Sequence, residues 1–513
     1  MAALRTNIKM FVDSGNRTYL LTTVILSVIF AILAIKRGLR ILQEWKFARL
    51  NHCRKPLVAS SGFLGIGRMI SMLSAMKKCE ALELIRSWHQ QYGKTYRTSL
   101  GRTVIMTIEP KNVQTILALK FKDFELGHYR NKALAPLLGQ GIFASDGEIW
   151  EHSRALVRPN FVRSQVADIK IYERHVAKLI ANIPGNGQTV DLQDLFFRMT
   201  IDSATEFLFG ESIDSLSVGS QQSAFANDFN TSQDGLAIRV QMGPLMVFHK
   251  NSAFSKATID ARRFVDQFVQ KAIDYRNACG DKKNASNSLD QQYVFLYELS
   301  KETVNKTVLT DQLLNILLAG RDTTASLLSI TFFILARRPD IWAKLRENVL
   351  GLEAERPSFE DLKSMTYLTW VLNETLRLYP VVPVNTRMAN KDTYLPVGGG
   401  PDGKDPIFVP KGQEVFYSVY SMHRLPEVYG PDATEYRPER WENLKPGWAY
   451  IPFNGGPRIC IGQQFALAEA GYTIARIVRQ FTKIECRDTR PFKEGLTLTL
   501  ASKNGTKVAL TPA

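Results

Sequence analysis

A chain of 513 residues, 45% hydrophobic and 22% charged, can form one large domain or several ordinary ones, and its composition excludes a disordered or fibrous protein. The net charge of +16 predicts attraction to an anionic partner, whether nucleic acid, acidic lipid or an acidic protein, without choosing among them. Five cysteines (Cys53, Cys79, Cys279, Cys460, Cys486), odd in number and without a C-x-x-C, argue against a disulfide framework or a zinc site and point to a reducing compartment.

The first element in the chain is YLLTTVILSVIFAILAI, residues 19–35, which carries no charge and is about long enough for a slightly short bilayer span. Lys36 and Arg37 follow directly, where a cleaved signal would need small residues. The sequence therefore predicts a short lumenal N-terminus (1–18), a transmembrane signal anchor (19–35), a basic linker (36–55) and one catalytic domain (56–513). Basic residues after the span (Lys36, Arg37, Arg40, Lys46, Arg49) outnumber those before it (Arg5, Lys9, Arg17), which places the body on the cytosolic side.

Within the body, Thr103 to Ile108 reads as a strand. Trp150 and Arg154 stand one helical turn apart, a spacing that also suits an ordinary surface cation-π pair. Asp311 to Arg337 is apolar on almost every face and must run through a core, ending at Arg338-Pro339. It contains Ala319-Gly-Arg-Asp-Thr-Thr324, where a glycine costs about 1 kcal/mol of helix propensity and an acid sits among apolar neighbours. Glu374 and Arg377 share one helical face, by itself a common surface ion pair. Gly398 to Gly403 and Gly455-Gly456 mark loops around short strands.

The segment Phe453-Asn-Gly-Gly-Pro-Arg-Ile-Cys-Ile-Gly462 sets a cysteine in a glycine-rich loop just before a helix-like run, Gln463 to Phe481. A lone cysteine is usually a small buried hydrophobe. Here Gly456 and Gly462 admit close backbone approach, the helix N-terminus favours an anion, and Arg458 is placed to meet a carboxylate. Those are the needs of a thiolate that ligates iron, with Phe453 as a shield from water.

This loop matches F-x-x-G-x-R-x-C-x-G at every fixed position, and on it the chain resembles the cytochrome P-450 superfamily. The resemblance implies a mainly α fold with small β-sheets (α+β), a triangular haem-thiolate domain behind one N-terminal transmembrane helix. It also implies haem b with Cys460 as the axial ligand of the iron. Ala319 and Gly320 then open a groove for dioxygen, and Asp322 with Thr323 supplies protons for its activation. Trp150, Arg154, Arg387 and Arg458 serve the haem propionates. Arg440, in Tyr436-Arg-Pro-Glu-Arg-Trp441, completes a structural network with Glu374 and Arg377.

Longer stretches, among them Asn373 to Pro380, Gly398 to Gly403, Tyr429 to Ala433 and Gly447 to Cys460, resemble the fungal alkane- and fatty-acid-hydroxylating family. That implies hydroxylation at or near a chain terminus. Electrons come from NADPH-cytochrome P-450 reductase, with cytochrome b5 as a further donor, and the enzyme sits in the endoplasmic reticulum membrane. No nucleic-acid motif is visible. Pocket residues are expected in 122–144, 225–248, 317–318, 381–384 and 496–500. Arg130, Lys132 and Arg239 are candidates to meet a fatty-acid carboxylate. Three alternatives stay open: a tailoring oxygenase for a fungal polyketide or terpenoid, a haem-thiolate isomerase or dehydratase, and a non-catalytic haem-binding membrane protein.

Overall fold

In a computed structural model of the protein, residues 2–59, 65–100, 102–161, 169–217, 224–279 and 294–513 are described, except the side chains of 2–20 and 278–279. The helices that position the site are α1 (Ala2–Leu50), α2 (His128–Leu138), α3 (Gly147–Val157), α4 (Leu192–Phe209), α5 (Ala224–Met242), α6 (Lys306–Leu335), α7 (Thr366–Leu378) and α8 (Gln463–Gln480). The strands that matter are β1 (Leu57–Val58), β2 (Thr95–Ser99), β3 (Thr103–Thr107), β4 (Phe124–Glu125), β5 (Val384–Ala389), β6 (Thr393–Gly399), β7 (Asp405–Val409) and β8 (Glu414–Ser418). Helix dominates and the sheets are small, as the sequence implies.

The helix expected over 311–337 is α6. It begins five residues earlier than read, because the Asn305 side chain caps it by accepting the Val308 N–H at 3.2 Å. Nearly all of α6 is buried, with α4 and α8 packed along it, which is why its apolar residues occupy every face. The strand predicted at Thr103 is β3. It lies inside a sheet ordered β1-β2-β3-β8-β5-β4, parallel at β1-β2 and β3-β8 and antiparallel elsewhere. The register pairs Arg387 with Val415 and leaves this arginine, 3% exposed, buried within β5.

The basic segment 36–50 continues α1 as helix. Its C-terminal part and the chain just after it lie on the β6-β7 hairpin: Phe47 meets Phe408 at 5.5 Å between ring centroids, Arg40 pairs with Asp392, and the Arg54 N–H donates to the Pro406 carbonyl at 2.8 Å. Among the described residues no helix is long and apolar enough to cross a membrane. The span expected over 19–35 starts at Tyr19 and Leu20, whose side chains lie outside the described residues.

Candidate active site: a thiol loop, an open helix face and a cluster of arginines

The loop before α8 is built by close backbone packing. Gly456 has φ +65°, and a Cβ there would stand 1.8 Å from the Leu117 carbonyl oxygen. Asn454 also adopts a left-handed conformation, φ +63°, which its short polar side chain tolerates. Its amide donates to the Arg458 carbonyl at 3.3 Å and accepts from the Tyr417 hydroxyl at 3.2 Å. The Cys460 N–H donates to the Phe453 carbonyl at 3.0 Å, and the Phe453 ring packs on the edge of the main core. The Gly462 N–H, at the N-cap of α8, points at the Cys460 sulfur.

The Cys460 thiol is reachable from solvent, yet protein crowds it enough for burial to push its pKa up, against the Gly462 N–H and the Arg154 charge. A side chain both reachable and surrounded lines an internal hollow. The middle of α6 repeats the pattern: Leu318, Ala319, Gly320 and Thr323 keep partial accessibility while residues on either side are buried. The Thr323 hydroxyl donates back to the Ala319 carbonyl at 2.7 Å.

Asp322 is 5% exposed and faces away from that open strip. Arg321 pairs with it at 3.0 Å, the Gln233 amide of α5 lies beside both, and burial raises its pKa despite the Arg321 charge. Gly320 turns toward Ala204 of α4, where an added Cβ would come within 3.8 Å. That is an ordinary contact, so the crossing of α4 and α6 would admit a Cβ here.

Arg458 pairs with Asp146 at 2.8 Å, donates to the Ser145 carbonyl at 3.0 Å, and lies 4.2 Å from the centre of the Trp150 ring. Burial lowers its pKa to about 9; Asp146 opposes that shift, while Arg387, Arg130 and Arg154 add to it. Arg154 sits on the same indole, 5.9 Å away. Arg387 donates to the Asn385 side-chain oxygen at 3.1 Å, and Arg130 donates to that same oxygen at 2.6 Å. Four guanidiniums thus gather near one carboxylate, which pairs with Arg458 and already accepts from the N–H groups of Leu126 and Gly127 and from Asn131. Buried positive charge left uncompensated calls for anionic groups on a ligand. A macrocycle with two carboxylates and a metal that takes a thiolate fits this donor set, and an iron cation would remove the thiol proton that burial favours.

The sequence reading named Arg154, Arg387, Arg458 and Trp150 for this place and missed Asp146 and Asn385. Arg130 was read as a partner for a substrate carboxylate. The structure places it in the arginine cluster instead, because α2 sets it against β5. Of the other two such candidates, Lys132 is exposed and Arg239 donates to the backbone carbonyls of Ala133 and Lys132.

Glu374, Arg377 and Arg440 come together as expected. Arg377 donates to both Glu374 oxygens at 2.8 Å, Arg440 donates to one at 3.3 Å, and the first two residues are fully buried. Asp432, Trp441 and His423 also belong here. Asp432 accepts two bonds from Arg440 at 2.9 and 3.0 Å, and the Trp441 indole N–H donates to Glu374 at 3.0 Å. Burial drives the His423 pKa down to about 3, so the ring is neutral: Nδ1–H donates to the Arg377 carbonyl, and Nε2 accepts the Ile451 N–H. That ring joins the network to the strand of chain leading into the thiol loop.

The cytochrome P-450 family model matches residues 64–507, and the chain belongs to that family of haem-thiolate monooxygenases, oxidoreductases that act on hydrophobic substrates with electrons from a redox partner. It is similar to cytochrome P-450 monooxygenase himC of Aspergillus japonicus, 46% identical over 451 residues, which is 87% of this chain and 81% of that one. It is likewise similar to cytochrome P-450 52A13 of Debaryomyces hansenii (48%; 80% of this chain, 82% of the relative) and cytochrome P-450 52A3-B of Candida maltosa (46%; 88% and 90%).

Proposed function

We propose that this monooxygenase hydroxylates a long alkyl chain at or near its end, as its sequence resemblance to alkane and fatty-acid hydroxylases implies, with Cys460 as the thiolate that would hold the haem iron. The observation that carries the reading is the open strip of α6, where Leu318 and Ala319 offer only apolar contact and Thr323 is the sole side-chain hydroxyl. An apolar chain gains about 25 cal/mol for each Å² it buries on such a surface. Haem, when bound, supplies the redox chemistry that splits dioxygen and places one oxygen atom in a C–H bond. Arg130, Arg154, Arg387 and Arg458 would hold its carboxylates, and the Gly462 N–H would steady the sulfur. The resemblance assigns the proton relay to Asp322 and Thr323; burial raises the Asp322 pKa while Arg321 pairs with it, so that pair and the Thr323 bond to the Ala319 carbonyl must both open first.

The cations once candidates for a substrate carboxylate are engaged elsewhere or exposed, which favours an uncharged chain over a free fatty acid. The same observation keeps a second reading open, an alkyl or terpenoid chain on a fungal secondary metabolite. Turnover with NADPH and a cytochrome P-450 reductase, comparing a long n-alkane with the fatty acid of equal length, tests this. The alkane is expected to be the better substrate, and failure of both, with turnover of a polyketide or terpenoid, would move the assignment to the second reading.

We also infer a membrane anchor at 19–35 with the body facing the cytosol. It is supported by the continuous apolar exposure of α1, Leu21 at 63% and Phe30 at 74% among others, which water would not tolerate over such a length. Resistance of the full chain to alkaline carbonate extraction, lost on deleting residues 1–35, is the expected result.

A further inference from the structure

Glu469 lies on α8, nine residues beyond Cys460, and is 2% exposed. Its carboxyl accepts a hydrogen bond from the Ser203 hydroxyl of α4. The Thr324 hydroxyl of α6, which makes no direct hydrogen bond of its own, is close enough to the same carboxyl to favour its charge. Three helices therefore meet at one acid, next to the crossing where Gly320 faces Ala204.

No cation answers this acid among the described residues. On α4, Asp202 accepts from the backbone N–H groups of Ser215 and Leu216, and Glu206 is taken by Arg174 and His175. On α6, Arg321 and Asp322 pair with each other and face Gln233. Further along α8, Tyr472 and Arg476 both turn to Glu173, and on α7, Glu374 and Arg377 close on each other. A buried carboxyl without a cation keeps its proton, and burial raises the Glu469 pKa to about 7.

We propose that Glu469, in its neutral form, is a positioning residue that ties α8 to α4 and α6 and so fixes the separation between Cys460 and the open strip at Ala319 to Thr323. A neutral carboxyl both donates and accepts, so it can bond to two hydroxyls on different helices; a buried carboxylate can only accept, and its charge draws water into the crossing. Ionisation should loosen the seam that sets the thiol loop against the oxygen-handling helix. This reading depends on the family's shared chemistry and not on which chain the enzyme oxidises.

The test uses the holoenzyme and follows product formed per NADPH, the thiolate-type carbon monoxide spectrum and the infrared band of protonated carboxyls on either side of pH 7. In the wild type, coupling should fall as pH rises through about 7, and one carboxyl band should vanish over the same range. Glu469→Gln, which keeps a donor and an acceptor without a charge, should retain the low-pH coupling throughout and lack that band. Ser203→Ala removes a donor to the carboxylate, so it should move the midpoint upward, and this variant keeps the test alive if the glutamine protein binds no haem. A glutamine protein with the wild-type pH profile, or a midpoint unmoved by Ser203→Ala, would overturn the proposal.

Discussion

Two clusters of buried charge sit on either side of the thiol loop and are built on opposite accounts. Around Glu374, two guanidiniums meet two carboxylates, and their remaining N–H groups are taken up by the carbonyls of His423, Ala433, Tyr429 and Asp432. Around Arg458, four guanidiniums gather near one carboxylate, Asp146, which pairs with Arg458 and already has other donors. The first cluster is complete without any further molecule, so it acts as a fastening. The second is short of negative charge, so its geometry is a request for an anionic ligand. Charge balance, more than burial or residue type, separates the part of the molecule that holds the fold from the part that receives the cofactor.

The sharpest way to break the comparison is to unbalance the first cluster. Glu374→Gln leaves Arg377 and Arg440 short of a buried carboxylate and should cost about 3–5 kcal/mol of stability. Because His423 carries the network to Ile451, the thiol loop should lose its shape with it. The expected result is a soluble protein, if any, that binds little haem and gives no thiolate-type band after reduction with carbon monoxide. Normal haem content in this variant would mean that the network does not hold the loop.

In the second cluster, removing one cation should weaken haem retention, while relief of repulsion among the arginines offsets part of the stability lost with that cation's own contacts. Arg458→Ala deletes a charge-assisted contact worth about 1.5–3 kcal/mol, a loss of roughly 10- to 100-fold in haem affinity. pH sharpens the same point. Burial among like charges holds the Arg458 pKa at about 9, and an anionic ligand must raise it, so binding takes up a proton above that pH. Haem affinity of the wild type should therefore fall as pH rises beyond about 9, by up to about tenfold per unit, with a weaker slope in Arg458→Ala. Equal slopes would place the titrating group elsewhere.

The uneven legibility of these features follows from what a linear sequence encodes. The helix α6 was readable because an apolar residue on every face has one physical meaning, and Cys460 because its loop is a contiguous run in which each glycine has a local task. The Glu374 to Arg377 pair was readable at helical spacing. Asp432 and His423 were not, since their places depend on chain segments far from α7 folding back. Asp146 carried a signal that went unused, an acid at the N-cap position immediately before Gly147, though its side chain turns to Leu126, Gly127, Asn131 and Arg458 and does not cap the helix. Glu469 had none, because an acid in the middle of α8 looks like any solvated glutamate until α4 and α6 cover it.

Arg130 gives the smallest effect and the most direct choice between the two ways of reading the chain. Sequence made it a candidate to meet a substrate carboxylate; structure bonds it to Asn385, the same oxygen that Arg387 uses, within range of Asp146. Arg130→Gln should lower haem affinity roughly fivefold, about the worth of one modest hydrogen bond, and leave the KM for a fatty acid unchanged. Its partners allow little more than that, because Arg387 and Arg458 remain to hold the ligand's carboxylates. If the KM rises while haem content stays whole, the cluster has three working cations and Arg130 belongs to the substrate channel after all, so the imbalance around Asp146 would be smaller than the four arginines suggest.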